Sequence, residues 1–401
     1  MPKCCSEFGY WFLFGVWSLV IGYFMQDSKK IIIFLICLGN IAISFNTGAV
    51  AAAIPLISED LGVPDFSVAK LVPFYMLPYG CGALLYAFFT KYVSYRRVLS
   101  SAMFCYAFFS LLTGLSSQLP YMLLAQIGAG VAAASSTPLS LMIIGELFEK
   151  DVRGRLVGTY FGCSFFASLV GMFFMGVVHW RWLFFIPAGL ALVTSVSFYC
   201  LKTDVLRRVH AASVNYFKIF FERPVRRVFI FIFLMSFLYH AVHKWYGLYL
   251  HQEYGLEKGG ISLFLIMAAM CGLAGQNIGG YLSDKKGRML TCFIGGIILA
   301  LGTMSLWGHY PVYIVPVILG SIAMGWTINH NSVSTILTDF PDEYRPMIAS
   351  LNSSVRFASG GLGFLLSTAF VEKSFGLTFL GIGVLFLGLS LTQQYFITIK
   401  K

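Results

Sequence analysis

The stretch Gly280-Tyr-Leu-Ser-Asp284-Lys285-Lys286-Gly287-Arg288 is a short charged turn held between two apolar runs, 260–282 and 289–307. A helix crossing a bilayer needs about 20 mostly apolar residues at ~1.5 Å rise each, and both runs are of that length. Working outward, the pattern recurs. Spans are read at 31–57, 69–90, 97–116, 119–145, 156–178 and 182–201, then at 228–250, 260–282, 289–307, 311–337, 347–371 and 375–397. Hydrophobic residues make up 58% of the chain and charged ones 11%, so no soluble domain is left over and function has to sit inside a helix bundle. The expected fold is an all-α polytopic membrane protein of two six-helix bundles with pseudo-twofold symmetry.

Lys and Arg number 28 against 17 Asp and Glu, a formal charge of +11. In a soluble protein that surplus would suggest nucleic acid. Here the basic residues fall in loops on one side, the mark of the cytoplasmic face, and no nucleic-acid partner is expected. That side collects Lys29, Lys30, Lys91, Arg96, Arg97, Lys150, Arg153, Arg155, Lys285, Lys286, Arg288, Arg345, Lys400 and Lys401. The other side has Lys70, Arg181, Lys258 and Lys373 beside Glu59, Asp60 and Asp65. Both ends of the twelve-span body are therefore expected in the cytoplasm, with the chain a multi-pass protein of a cytoplasmic (inner) membrane. The nine cysteines mostly lie in spans without ligand spacing, so neither a disulfide framework, a metal nor a cofactor is expected.

The chain divides into an extension, 1–30, a first bundle, 31–201, a central cytoplasmic loop, 202–227, and a second bundle, 228–401. Within the extension, Tyr10 to Phe24 is apolar but short for a span. It reads as a signal-like segment or as an additional helix, and Met25 ahead of Lys29 and Lys30 reads equally as a start. The halves echo each other: Phe148, Asp151 and Arg153 recur as Phe340, Glu343 and Arg345, each 192 positions later. Internal repeats of this kind are a feature of secondary transporters, which rock one bundle against the other around a midplane site.

Gly280-x-x-x-Asp284-Lys285-x-Gly287-Arg288 resembles the loop motif of the major facilitator superfamily, and the likeness extends to the twelve spans, the Asp/Glu-x-Arg loops and Trp180-Arg181-Trp182. The first-half counterpart departs from the motif, with Tyr86 for its glycine and Thr90 for its aspartate. Gln126-Ile-Gly128-Ala-Gly130 resembles the end of a second family motif without its arginine, Met122 or a neighbour standing there. The fifth span lacks the Gly-Pro pair of proton-coupled drug antiporters. The resemblance implies that Asp284 latches the cytoplasmic side shut, with Lys285, Gly287, Arg288, Asp151, Arg153, Glu343 and Arg345 as gating residues. On physical grounds, Gly280 is expected to let the eighth helix pack closely and Gly287 to allow a tight turn.

All 17 acidic residues fall in loops, the extension or span ends. Basic and titratable groups do not: the seventh span carries His240, His243 and Lys244, the tenth Asn329-His330-Asn331, and the eleventh Arg356 after Asn352, Ser353 and Ser354. A cation inside a span costs at least ~2.5–3.5 kcal/mol on insertion scales, so these groups should face a wet cavity or a partner arriving from solution. His240, His243 and Lys244 share one helix face. By the resemblance, spans one, four, seven and ten line the cavity and the eleventh borders it. Lys244, His240, His330 and Arg356 would then converge there, with Asn40, Asn46, Gln126, Ser135, Ser136 and Thr137 from the first half.

Other readings stay open. Lys244 snorkels outward, His243 joins an interfacial cluster with Trp245 and Tyr246, His330 packs between helices with Asn329, or Arg356 pairs with a carboxylate such as Glu146 or Asp339. The function expected is alternating-access transport of a small solute, anionic or carboxylate-bearing, by a monomer in the lipid bilayer. Whether a proton or another ion is coupled is left open. The alternatives are an exporter of amphipathic compounds and, more remotely, a polytopic membrane enzyme or sensor; no catalytic residues are expected.

Overall fold

The computed structural model describes residues 28–89, 92–201, 220–337, 339–340 and 345–397. The stretch 10–24, most of the central loop, Thr90, Lys91 and Glu343 lie outside the described residues, as do the side chains of Asp151 and Arg345. Among the described residues the chain is helical, without strands.

Eleven helical segments, counted over the described residues, are long and apolar enough to cross a membrane. In the first half they are Lys29–Ala52, Asp65–Tyr86, Tyr95–Leu115, Leu119–Leu147, Val152–Val177 and Trp182–Cys200. In the second they are Arg223–Tyr254, Lys258–Lys286, Arg288–Ser305, Met347–Val371 and Phe375–Thr392. The tenth of the expected spans is present as the helix Val315–Leu337. It falls short on hydropathy because Asn329-His330-Asn331 and the serines and threonines around them sit within it.

Four spans are discontinuous, the second only near its start, between Asp65–Val68 and Leu71–Phe89. The first runs as Ser28–Thr47, Ala49–Ala52 and Ile54–Leu61. Pro55, which has no amide hydrogen to donate, stands in the first turn of the last piece. The fourth breaks at Ala134–Ser135 and the seventh at Lys244–Trp245. At the fourth- and seventh-span breaks the amides still find carbonyls three or four residues back, whereas at the first Thr47 O takes a side-chain donor, since inside the bundle only protein or a wet cavity can satisfy a freed group.

Small residues and hydroxyl–carbonyl bonds draw the helices together, as expected where lipid removes the hydrophobic drive for association. Ser100 and Ser195 each donate to the other's carbonyl, at 3.0 and 2.8 Å, joining the third and sixth spans. A Cβ at Gly171 would overlap the carbonyl of Phe45. The eighth span meets the tenth closely at Gly275 and Gly279, where a Cβ would come within 2.8 Å of Met324 and 3.0 Å of Ile328. Gly280 does not play the part expected of it: a Cβ there would be 3.4 Å from Asn331, an ordinary contact. Gly287 does carry a left-handed φ of 87° between the eighth and ninth helices.

The halves clasp at the end opposite the termini. There Gln252 donates to Asp65 at 2.8 Å, Ser262 to the carbonyl of Met172 at 2.7 Å, and Trp245 packs on Phe66. Asp60 braces the same end within the first half, accepting from Trp180 and Arg181, both at 3.2 Å. Midway along, Ser354 donates to Gly80 O at 2.6 Å and Tyr79 stacks on Phe357 at 3.8 Å. At the terminal end, Tyr95 with Glu146, Arg96 with Leu201 O and Arg288 with Asp339 are bonds that stay within one half. The fifth and eighth spans part there, and a Cβ added at Gly158 or Gly162 would meet nothing within 4 Å.

Candidate functional site

The seventh, tenth and eleventh spans bring four of the expected residues to one place. Tyr239 and Trp326 stack face to face, 3.9 Å apart and 3° from parallel. His243 extends the column beyond Tyr239 at 4.8 Å, and His330 extends it beyond Trp326 at 5.6 Å. His240 meets both inner rings edge-on. The Arg356 guanidinium carbon lies 6.0 Å from the Trp326 centroid, at the outer limit of a cation–π contact. The local pattern is helical: Tyr239 and His243, and Trp326 and His330, are each four residues apart and so stack along one face.

Their polar atoms are only partly satisfied. His240 Nδ1 is 2.8 Å from the carbonyl of Ser236. A carbonyl can only accept, so Nδ1 carries the hydrogen and Nε2 presents a lone pair when the ring is neutral. Arg356 Nε donates to Asn352 Oδ1 at 2.8 Å, while its Nη2 is buried with no partner. His243 Nδ1 and the Tyr246 hydroxyl are also buried and unpartnered. Such groups are rare in folded proteins because each forfeits its hydration. Lys244 and Arg356 both lie within electrostatic range of His240, and neither makes an ion pair among the described residues.

Lys244 neither snorkels outward nor joins the column. It is 5% exposed, and its Nζ donates at 2.8 Å to the carbonyl of Thr47, across the boundary between halves. Thr47 ends the first piece of the first span, so the ammonium caps a helix C-terminus, where carbonyls lack internal partners and the helix dipole favours a cation. Arg356 does not pair with Glu146 or Asp339: Glu146 accepts from the Tyr95 hydroxyl at 2.9 Å, and Asp339 is bound by Arg288.

Asn329 faces away from the cluster. It is 2% exposed and its amide donates to Cys292 O at 2.9 Å, which makes it a packing residue between the ninth and tenth spans. Asn46 is buried in the first half beside the Tyr106 hydroxyl. Asn40 and Gln126 also bond within the first half, to Tyr160 O and Thr113. Of the loop residues, Asp284 is exposed without an ion pair among the described residues. Lys285 sits 4.5 Å over the Tyr281 ring, Arg288 pairs with Asp339, and Arg153 donates to Phe148 O at 2.7 Å. The side chains of Asp151, Glu343 and Arg345 lie outside the described residues.

A cavity of about 170 Å³ lies between the halves. Tyr239, His243, Lys244 and Tyr246 form one wall, and Met172, Leu265, Ala268 and Ala269 are among the residues of the other.

Comparison with known proteins agrees with this architecture. The description Major Facilitator Superfamily matches residues 36–364. The chain belongs to the major facilitator superfamily, a family of transporters, and is a multi-pass membrane protein. Similar proteins include the efflux pump hmp6 of Hypomyces subiculosus, 27% identical over 42% of this chain and 31% of that protein. Another is a probable L-galactonate transporter of Escherichia coli, 24% identical over 60% of each. The matches thus span from about a third to 60% of the first relatives' own lengths. Among solved structures, the D-xylose-proton symporter aligns with a TM-score of 0.75 over 93% of this chain and 98% of that one, at 15% identity. A bacterial homologue of the human lysosomal transporter Spinster, inward-facing and unoccupied, aligns at 0.71 over 93% and 95%, at 13% identity. These likenesses concern the fold.

Proposed function

We propose that this chain carries a small anionic solute across a bilayer by alternating access, and that the solute's anionic group is held by Arg356 with His240, His243 and His330, near Lys244. The observation that carries this reading is the gathering of these groups at mid-span without a carboxylate among them, with Arg356 Nη2 and His243 Nδ1 buried and unpartnered. A guanidinium offers a carboxylate two parallel charge-assisted hydrogen bonds. One relative is named as a probable transporter of L-galactonate, an organic anion, which supports the same class.

With both chain ends in the cytoplasm, as the loop charges imply, the clasped end is extracellular and the parted end faces in. Opening outward would break Lys244–Thr47 and Gln252–Asp65. The exposed charge at Asp284, with the loops after spans four and ten, would then latch the cytoplasmic end. Histidine is the cluster's one residue type whose unperturbed pKa, ~6.5, lies near neutrality, so a coupled proton would ride on His240 or a neighbour.

The test is a thermal-shift screen of the purified full chain against organic anions, neutral sugars and organic cations. Stabilisation confined to anions, and lost in Arg356→Met, is expected. Stabilisation by cations or neutral solutes alone would refute the reading.

A further inference from the structure

We infer that the solute is an amphipathic monoanion, a carboxylate on an apolar body, and that the cavity between the halves receives the apolar part. This class rests on the anionic reading above and adds the chemistry of the solute's other end.

The cavity's two walls differ. Lys244 is the one formal charge among its lining residues. Its ammonium spends one of three hydrogens on Thr47 O. Beside it, His243 Nδ1 and the Tyr246 hydroxyl are buried and unpartnered. Tyr239 and His243 belong both to the ring column and to the cavity's lining, so a carboxylate held at the cluster has its body at the cavity. The rest of the lining is mostly hydrocarbon, Phe165 and Met172 from the fifth span with Leu265, Ala268 and Ala269 from the eighth, and Gln276 and Thr327 are its polar members. A small hydrophilic anion would leave that hydrocarbon against water. An apolar void of ~150 Å³ is large enough to admit a benzene-sized molecule, and this cavity is about 170 Å³.

Each methylene moved from water onto such a wall should tighten binding about fourfold. Octanoate should therefore outbind butyrate by well over tenfold, even with partial burial.

The experiment measures equilibrium binding of radiolabelled octanoate to the full chain in nanodiscs, corrected with empty nanodiscs, with butyrate and octanol as competitors. Saturable octanoate binding is expected, displaced at least tenfold less effectively by butyrate and not by octanol. Ala269→Phe, which fills the apolar wall without touching a cation, should weaken octanoate at least tenfold and butyrate less than threefold. If that variant fails to fold, the chain-length preference of the wild type decides alone. Equal affinity for butyrate and octanoate, both lost in Arg356→Met, would overturn the amphipathic class and leave the anionic reading standing. Octanol competing as well as octanoate would overturn both.

Discussion

Replacing Arg356 by methionine should separate solute recognition from stability. In the folded chain the side chain has one hydrogen bond, to Asn352, and a distant contact with Trp326. Losing that charge-assisted bond costs ~1.5–3 kcal/mol. Against it stands relief of the buried, unpartnered Nη2, a penalty of ~1–3 kcal/mol. The balance is near zero, so the melting temperature should hold within a few degrees. Binding behaves oppositely. Truncating one partner of a desolvated, hydrogen-bonded charge pair costs ~2–5 kcal/mol, a loss of about 30- to 4,000-fold. Arg356→Lys keeps the charge but not the fork and should fall between. Calorimetric titration with the anion found by screening, alongside melting curves, reads both quantities. A variant that melts much lower yet binds normally would refute the reasoning and make Arg356 a structural residue.

Further expectations concern the clasp, the loop and the histidines. Lys244→Met removes a charge-assisted bond across the halves, worth ~1.5–3 kcal/mol; linking Asp65→Cys to Gln252→Cys with a short bismaleimide should slow in that background, and an unchanged rate would deny the clasp. Asp284→Asn should shift the balance of open states, read by the same linkage, while leaving equilibrium solute binding within a few-fold; a folded variant that no longer binds would make Asp284 a ligand. If a proton is coupled, accumulation driven by a pH gradient should vanish in His240→Gln, His243→Gln, His330→Gln, since histidine titrates ordinarily at ~6.5; undiminished accumulation would move the carrier elsewhere. Cysteines placed at Ser28 and Thr398 in a cysteine-free background should resist an impermeant thiol reagent applied to intact cells, and labelling of either would invert the topology.

Much of the fold was legible because long apolar runs and one-sided loop charges are strong signals. The tenth span was legible too, although its polar residues lower its hydropathy, because its neighbours alternate and demand it. The resemblance implies that Lys244, His240, His330 and Arg356 converge; His240, His330 and Arg356 gather around Trp326, with His243 joining through Tyr239 and Lys244 turned to Thr47. Direction within a span was not legible, because a membrane helix is apolar all round and gives no stripe to orient it. Asn329 and His330 are adjacent, yet one packs on Cys292 and the other on Trp326. The carbonyl that takes Lys244 exists only because the first span breaks after Thr47, a backbone event no side chain announces. Tyr239 and Trp326 carried a signal that was passed over: each stands four residues before a histidine, the spacing that stacks two rings on one helix face.

The central claim is met most directly by uptake into proteoliposomes. Radiolabelled organic anions, a neutral sugar and an organic cation would be offered separately to wild type and to Arg356→Met. Saturable uptake of an anion by the wild type alone is predicted. Uptake of the sugar or the cation, equal in both proteins and with no anion transported, would contradict it.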